Sequence, residues 1–281
     1  MTLRFLVVEG NDAQGRAAYR LGFGQTAGEA YAQTLRALAP EASCELLLAA
    51  DSGAEAPAAL ADYDGVFITG SALNLYEGGP AAERQIALAR AVFACATPMF
   101  GSCWGLQVAC AAAGGQVLKN PRGREIGVAR GIWLTEAGRN HPLLQGRPPA
   151  YEALCSHLDI VELPPGGVAL AANALAPVQA AEIAFDGGLF WGVQYHPEYS
   201  FAEVASIVER RAAALVREGL VPDQDAALAA AREWRALDED KGAAWRLGLG
   251  DSVLTQQARG LELTNFIDSC VRPMKSARGR A

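Results

Sequence analysis

The chain alternates short, unbroken apolar runs with polar joins that carry glycine. Residues 3–8, 44–50, 65–70 and 98–100 are apolar at nearly every position, the pattern of strands buried on both faces of a parallel sheet. Helical stretches fall between them. Thr26 with Glu29 three residues on is a capping-box pair that opens one helix. Pro80 opens another that runs to residue 96, at a first position where its missing N–H has no partner to lose. A third helix is expected over 106–113. This alternation predicts an α/β fold on a doubly wound, mainly parallel sheet. Residues 10–24 are rich in glycine and read as a loop, long enough either to border a site mouth or to run over the surface. Residues 117–133, 168–173, 178–185 and 189–195 read as shorter strands, a meander beside the main sheet.

The pattern changes after residue 198. Ser200 and Glu203 form a second capping box, and Val204, Ile207, Val208 and Leu215 then share one helical face. A second amphipathic helix over 223–237 carries Ala227, Ala230, Ala231, Trp234 and Leu237; a third over 255–271 carries Leu263, Phe266, Ile267 and Cys270. Amphipathic faces need cover. The first two helices are therefore expected to pack beside a pocket, to form a self-association surface that would make a homo-oligomer, or to buttress the far side, with Trp234 and Trp245 as buried anchors.

Two apolar runs end on residues that do chemistry. Phe100-Gly101-Ser102-Cys103-Trp104-Gly105 puts a thiol on a strand-to-helix elbow, where glycines permit unusual backbone angles and close approach. The positive end of the following helix is expected to favour the thiolate. The run 191–195 leads to His196, Pro197 and Glu198. In a parallel sheet both strands end on one edge, the usual place for α/β chemistry. A thiolate needs a base and an imidazole needs an acceptor, and Cys103, His196 and Glu198 supply that set. The chain has three histidines. His141 reads as an exposed turn and His157 as a weaker contact; only His196 has a carboxylate at this spacing.

G-x-C-x-G-x-Q at 101–107 and G-V-Q-Y-H-P-E at 192–198 resemble the class I, or triad, glutamine amidotransferases, nearest their GMP-synthase-like branch. The likeness spans residues 1–200 and extends to 65–71, 124–128, 156–159 and 162–166. It implies a flavodoxin-like sheet closed by one terminal helix. The chain then divides into an α/β domain at 1–200, a helical hairpin inserted at 201–254, and at 255–281 the terminal helix with a basic, disordered tail. The resemblance also implies an oxyanion hole of backbone N–H groups from Trp104 and from the Gly70-Ser71 loop, where Ser71 replaces the family's second glycine. It assigns Gln107 to glutamine binding. Ser156, His157, Leu158 and Asp159 match the turn that contacts the substrate's amino-acid end, with Leu158 in place of glycine.

Composition narrows the classes. The 281 residues are 51% hydrophobic with a formal charge of −7, and no basic stripe with interleaved aromatics points to nucleic acid. No apolar run approaches the length of a membrane span, and the first is too short for a secretion signal. Six cysteines lie scattered without paired spacing, so neither a disulfide framework nor a metal site is expected, and a reducing, cytoplasmic setting is. No cofactor is called for. The expected reaction is hydrolysis of glutamine to glutamate and ammonia through a γ-glutamyl thioester. The chain has no phosphate loop and no pyrophosphatase signature, so any ammonia used in synthesis would go to a separate synthetase partner. A stand-alone γ-glutamyl hydrolase is the alternative, favoured by the departures at Ser71 and Leu158. A non-catalytic relative that senses oxidants through Cys103 is the third.

Overall fold

The computed structural model describes residues 2–237 and 240–279. Strand β1 (Leu3–Val8) is followed by helices α1 (Ala13–Phe23) and α2 (Ala27–Leu38), then β2 (Ala42–Leu47), β3 (Gly65–Ile68), α3 (Pro80–Ala94), β4 (Met99–Ser102) and α4 (Trp104–Ala112). Next come β5 (Gln116–Lys119), β6 (Glu125–Leu134), α5 (Glu136–Arg139), β7 (Ala150–His157), β8 (Asp159–Glu162), β9 (Gly167–Ala172), β10 (Ala180–Phe185) and β11 (Gly188–Val193). The main sheet runs β2-β1-β3-β4-β11-β10-β9-β6-β7, and β5 pairs separately with β8. The first five strands of that order are mutually parallel; from β11 outward every pairing is antiparallel.

Alternation along β1 shows why the sheet is wound on both faces. Leu3, Phe5 and Val7 join Tyr31 and Leu35 of α2 in one core layer, whereas Leu6 and Val8 join residues of α3 and α4, among them Leu88 and Leu106, in the other. The registers Val8 with Ile68, Ile68 with Gly101, and Ser102 with Val193 bring the carboxyl ends of β1, β3, β4 and β11 level. The loops leaving those ends meet at one edge.

Several local expectations are corrected. Residues 10–24 hold α1 rather than a loop: Asp12 accepts from the Gly15 N–H at 2.8 Å as N-cap, and Gly24 at φ 85° ends the helix. Those are ordinary start and stop signals, which the local glycine content masks. Residues 117–133 split into β5 and β6 around Gly123, at φ 91°. Residues 255–271 are not one helix: α10 (Gln256–Arg259) stops at Gly260, and α11 (Leu261–Phe266) runs through a π-helical turn (Ile267–Val271) into α12 (Arg272–Ala277). The segment expected as a disordered tail is thus helical through Ala277, with the Lys275 ammonium donating to Asp64 at 3.0 Å and to the Thr2 carbonyl at 2.6 Å. Residues 280–281 of that tail lie outside the described residues.

Between these parts, α6 (Phe201–Arg217) and α7 (Gln224–Ala236) share a core layer with Leu154 of β7, and α8 (Lys241–Arg246) and α9 (Asp251–Leu254) lead on to α10. Trp234 is buried there against Phe201, over Gly127. Trp245 is not an anchor, being 84% exposed. The C-terminal segment is fastened through charge. Arg147 and Glu262 form a bidentate pair at 2.7 and 2.8 Å, with both side chains buried. Glu262 also accepts from the Tyr195 hydroxyl at 2.8 Å. Removing one partner strands a buried charge. Glu262→Ala should therefore cost about 3–5 kcal/mol in chemical denaturation, and an apolar replacement of both partners should recover most of it.

Candidate active site

Cys103 stands between β4 and α4 with φ 52° and ψ −101°, a region that residues with side chains seldom occupy. Its N–H donates to the Val193 carbonyl at 2.7 Å, and its carbonyl accepts from the Gln107 N–H at 3.1 Å. The flanking glycines serve by allowing close approach alone. A Cβ on Gly101 would lie 2.6 Å from the Gly105 carbonyl carbon, and one on Gly105 would lie 2.5 Å from the Ile68 carbonyl oxygen. Neither takes a positive φ, so the unusual backbone belongs to the cysteine itself.

His196 lies past the end of β11, tied by its N–H to the Leu154 carbonyl at 2.8 Å. Its Nδ1 meets Glu198 Oε1 at 2.6 Å, and both side chains are buried. The other Glu198 oxygen accepts from the Ser102 hydroxyl at 2.8 Å, and Ser102 meets the Tyr31 hydroxyl at 3.2 Å. The imidazole lies flat on the Tyr199 ring, centroids 3.7 Å apart. A Cβ on Gly70 would fall 2.6 Å from His196 Cε1, which explains the glycine there. Sequence reasoning missed Ser102, Tyr31 and Tyr199, whose roles come from contacts that no spacing announces.

Two adjoining cavities open at this edge. One is lined by Gly70, Ser71, Ser156, His196 and Glu198; the other by Cys103, Gln107, Ser71, Ser156, His157 and Asp159. Ser71, Ala72, Ser156 and Arg211 line both. Gln107 is buried with its amide nitrogen 3.9 Å from Cys103 Sγ, and the Trp104 N–H is turned toward the same sulfur. The Trp104 indole points elsewhere, donating to Gln85 at 2.8 Å. A carboxylate that the sequence did not single out holds the Ser71 loop. Fully buried Glu9 accepts from the Asn11 amide at 2.9 Å and from the Gly28 N–H at 2.7 Å, and Asn11 Oδ1 in turn accepts from the Ala72 N–H at 2.9 Å.

A family model described as glutamine amidotransferase class-I matches residues 23–212. The chain belongs to that family. It is 37% identical over 220 residues to a γ-glutamyl-L-1-hydroxyisopropylamide hydrolase of a Pseudomonas species, covering 77% of this chain and 75% of that one. It is 35% identical over 140 residues to the glutamine-hydrolysing GMP synthase of Nitrosomonas eutropha, of which it spans 25%. In fold it is similar to a glutamine amidotransferase of Thermotoga maritima, with a TM-score of 0.64 at 17% identity over 96% of this chain and 99% of that one.

Other features of this amidotransferase depart from expectation. Burial pushes the Cys103 thiol up, assisted by the charges of Asp159 and Glu198, and the opposing pull of the Trp104 N–H and Arg211 does not prevail. A helix terminus contributes about 0.3–1 kcal/mol when exposed, too little to offset desolvation of a buried thiolate. Burial thus favours the thiol form of Cys103 over the thiolate that the helix terminus alone would favour. His157 is buried, with Nε2 2.9 Å from Glu125 and Nδ1 3.1 Å from the Asp159 carbonyl, so its ring is committed to structure. His141 is half-buried against Trp191 and meets Glu182 at 3.0 Å rather than standing in an exposed turn. Ser71 and Leu158 keep negative φ, so neither replacement of a glycine strains the backbone. Ser156 and His157 close β7, and Asp159 opens β8.

Helix α6 reaches the first cavity through Glu203, Ile207, Arg210 and Arg211. Glu203 is buried, accepting from the Tyr19 hydroxyl and the Ser200 N–H, each at 2.8 Å. Burial pushes its carboxyl up to about 7, and the Glu198 charge acts in the same direction. A raised folded-state value means that proton binding favours the folded state at low pH, and that this advantage is lost as pH rises through about 7. Melting temperature of the parent should therefore fall relative to Glu203→Gln between about pH 5 and pH 8. A constant difference across that range would contradict the assignment.

Proposed function

We propose that the protein is a stand-alone γ-glutamyl amide hydrolase in which Cys103 is the nucleophile, His196 the acid and base, and Glu198 the group that orients the imidazole. The observation that supports this is the buried His196–Glu198 pair at 2.6 Å past the end of β11, the strand that pairs level with β4 and its cysteine on a constrained elbow. The Cys103 proton passes to His196 as sulfur attacks the amide carbon. The oxyanion is held by the N–H groups of Trp104 and the Gly70-Ser71 loop, donors worth about 3 kcal/mol each in systems where one has been removed. His196 then protonates the departing amine, leaving a γ-glutamyl thioester. Water, deprotonated by His196, releases glutamate and restores the thiol. Gln107, Ser156 and Asp159 line the acyl side, with Leu158 at its rim.

An N-substituted amide is the favoured substrate. The relative that matches this chain over three quarters of both lengths carries a name of that kind. Tyr199 and Ile207 give the His196 cavity an apolar wall where the amine departs. All six cysteines are free thiols, which supports a reducing compartment such as the cytoplasm. Among the described residues no helix is long and apolar enough to cross a membrane. A second reading, ammonia supply to a separate synthetase, is supported by the GMP synthases that match over part of their length. A separate glutamine-hydrolysing subunit of the GMP synthase of Methanoculleus marisnigri, of which 63% is matched, supports it too.

Amine release from glutamine and from γ-glutamyl N-alkylamides separates the two. The hydrolase reading expects kcat/KM at least about tenfold higher for an alkylamide, roughly the worth of two buried methylenes. A preference for glutamine would favour the ammonia donor. Cys103→Ala should abolish turnover with either substrate. Glu198→Gln should leave a measurable remnant, below the parent by about 10²–10⁴-fold, because the imidazole persists without its carboxylate partner.

A further inference from the structure

Three arginines approach the site, and two of them are occupied. Arg124, just before β6, forms a bidentate pair with Glu218 at 2.7 and 2.9 Å. Arg210 lies over the Tyr19 ring, 4.8 Å from its centroid. Arg211, from the third turn of α6, lines both cavities and has no hydrogen-bond or ion-pair partner among the described residues. It is half-buried, and the charges of Arg124 and Arg210 act against its own, a cost that an anion in the cavity would offset.

The same cavity contains the complementary group. Asp159 lines this cavity with Cys103 and Gln107, and its Oδ1 is buried without a hydrogen-bond partner among the described residues, while the Gln107 and Tyr76 side chains lie within reach of the carboxyl group. Asp159 and Arg211 feel each other's charge without forming an ion pair. A single ligand atom bearing both an ammonium and a carboxylate would answer both groups at once. The α-carbon of a γ-glutamyl group is such an atom, on the acyl side of the bond that Cys103 attacks.

Building on the hydrolase reading above, in which the turn holding Asp159 already takes the substrate's amino-acid end, we propose that Arg211 binds the α-carboxylate of the γ-glutamyl group. A helix that follows the Cys–His–Glu constellation in sequence thereby fixes which acyl group is accepted. A guanidinium suits this role, because its planar fork meets a carboxylate with two parallel hydrogen bonds.

The test uses the full-length protein, Arg211→Met and Arg211→Lys, with three substrates: a γ-glutamyl methylamide, the same compound with its α-carboxylate converted to an amide, and γ-glutamylglycine, whose extra carboxylate is on the leaving side. Parent enzyme is expected to lose at least about tenfold in kcat/KM when the α-carboxylate is amidated. Arg211→Met is expected to raise KM for the methylamide by about 10–100-fold with little change in kcat, and to lose discrimination against the α-amide, with Arg211→Lys in between. Calorimetric binding of L-glutamate should weaken in the same order, which tests the assignment even if no γ-glutamyl amide is hydrolysed and the underlying reading fails. Melting curves identify a misfolded variant, in which case Arg211→Lys, which retains the charge, carries the comparison. The proposal is overturned if Arg211→Met discriminates against the α-amide as well as the parent does. It is equally overturned if the loss is confined to γ-glutamylglycine, or if kcat falls with a shifted pH profile while KM stays fixed.

Discussion

The site depends on the seating of the first turn of α4, backbone against backbone, on the ends of β3 and β4. Gly105 presses on the Ile68 carbonyl and Gly101 on Gly105, at distances no side chain allows. That approach forces Cys103 into its unusual conformation and directs the Trp104 N–H to the sulfur. Because β3 and β11 flank β4 in register, the same seating sets where the Gly70-Ser71 loop and His196 begin. The edge that carries Cys103 and His196 is thus a consequence of strand ends brought level by hydrogen-bond register and locked by one helix.

Around that edge, most buried polar groups are fixed by a named partner. Glu198 divides its two oxygens between His196 and Ser102, Glu9 steadies the Ser71 loop through Asn11, and Glu203 joins α1 to α6 through Tyr19. Preorganised dipoles of this sort are effective because they need not reorient as charge develops. The exceptions include Asp159 Oδ1 and the Gln194 amide, and Arg211 too has no hydrogen-bond or ion-pair partner among the described residues.

How legible this was in the sequence depended on how local each cause is. Cys103, His196 and Glu198 announce themselves because an apolar strand that stops at a reactive residue is a local event. The sheet class follows from blocks such as 3–8 and 65–70 for the same reason. Helix α1 was hidden because glycine content outweighed two good caps at Asp12 and Gly24. Strand β7 was hidden because its alanines, serine and cysteine carry little strand preference, its pairing with β6 supplying the stability instead. Trp245, expected as a buried anchor, points to solvent, since which face of a helix is buried is decided by its neighbours. Arg211 was unreadable for a similar reason: the residues that make it unusual lie at Arg124, Asp159 and Cys103, far away in sequence.

The Arg147–Glu262–Tyr195 cluster carries an implication for the order in which the protein becomes competent. Tyr195 immediately precedes His196, and its hydroxyl is held by a glutamate that is synthesised 67 residues later. A growing chain can therefore carry Cys103, His196 and the Gly70-Ser71 loop and still lack the clasp that holds the residue before His196. The clasp on the strand end that leads to His196 is thus closed only once the chain has been made as far as Glu262.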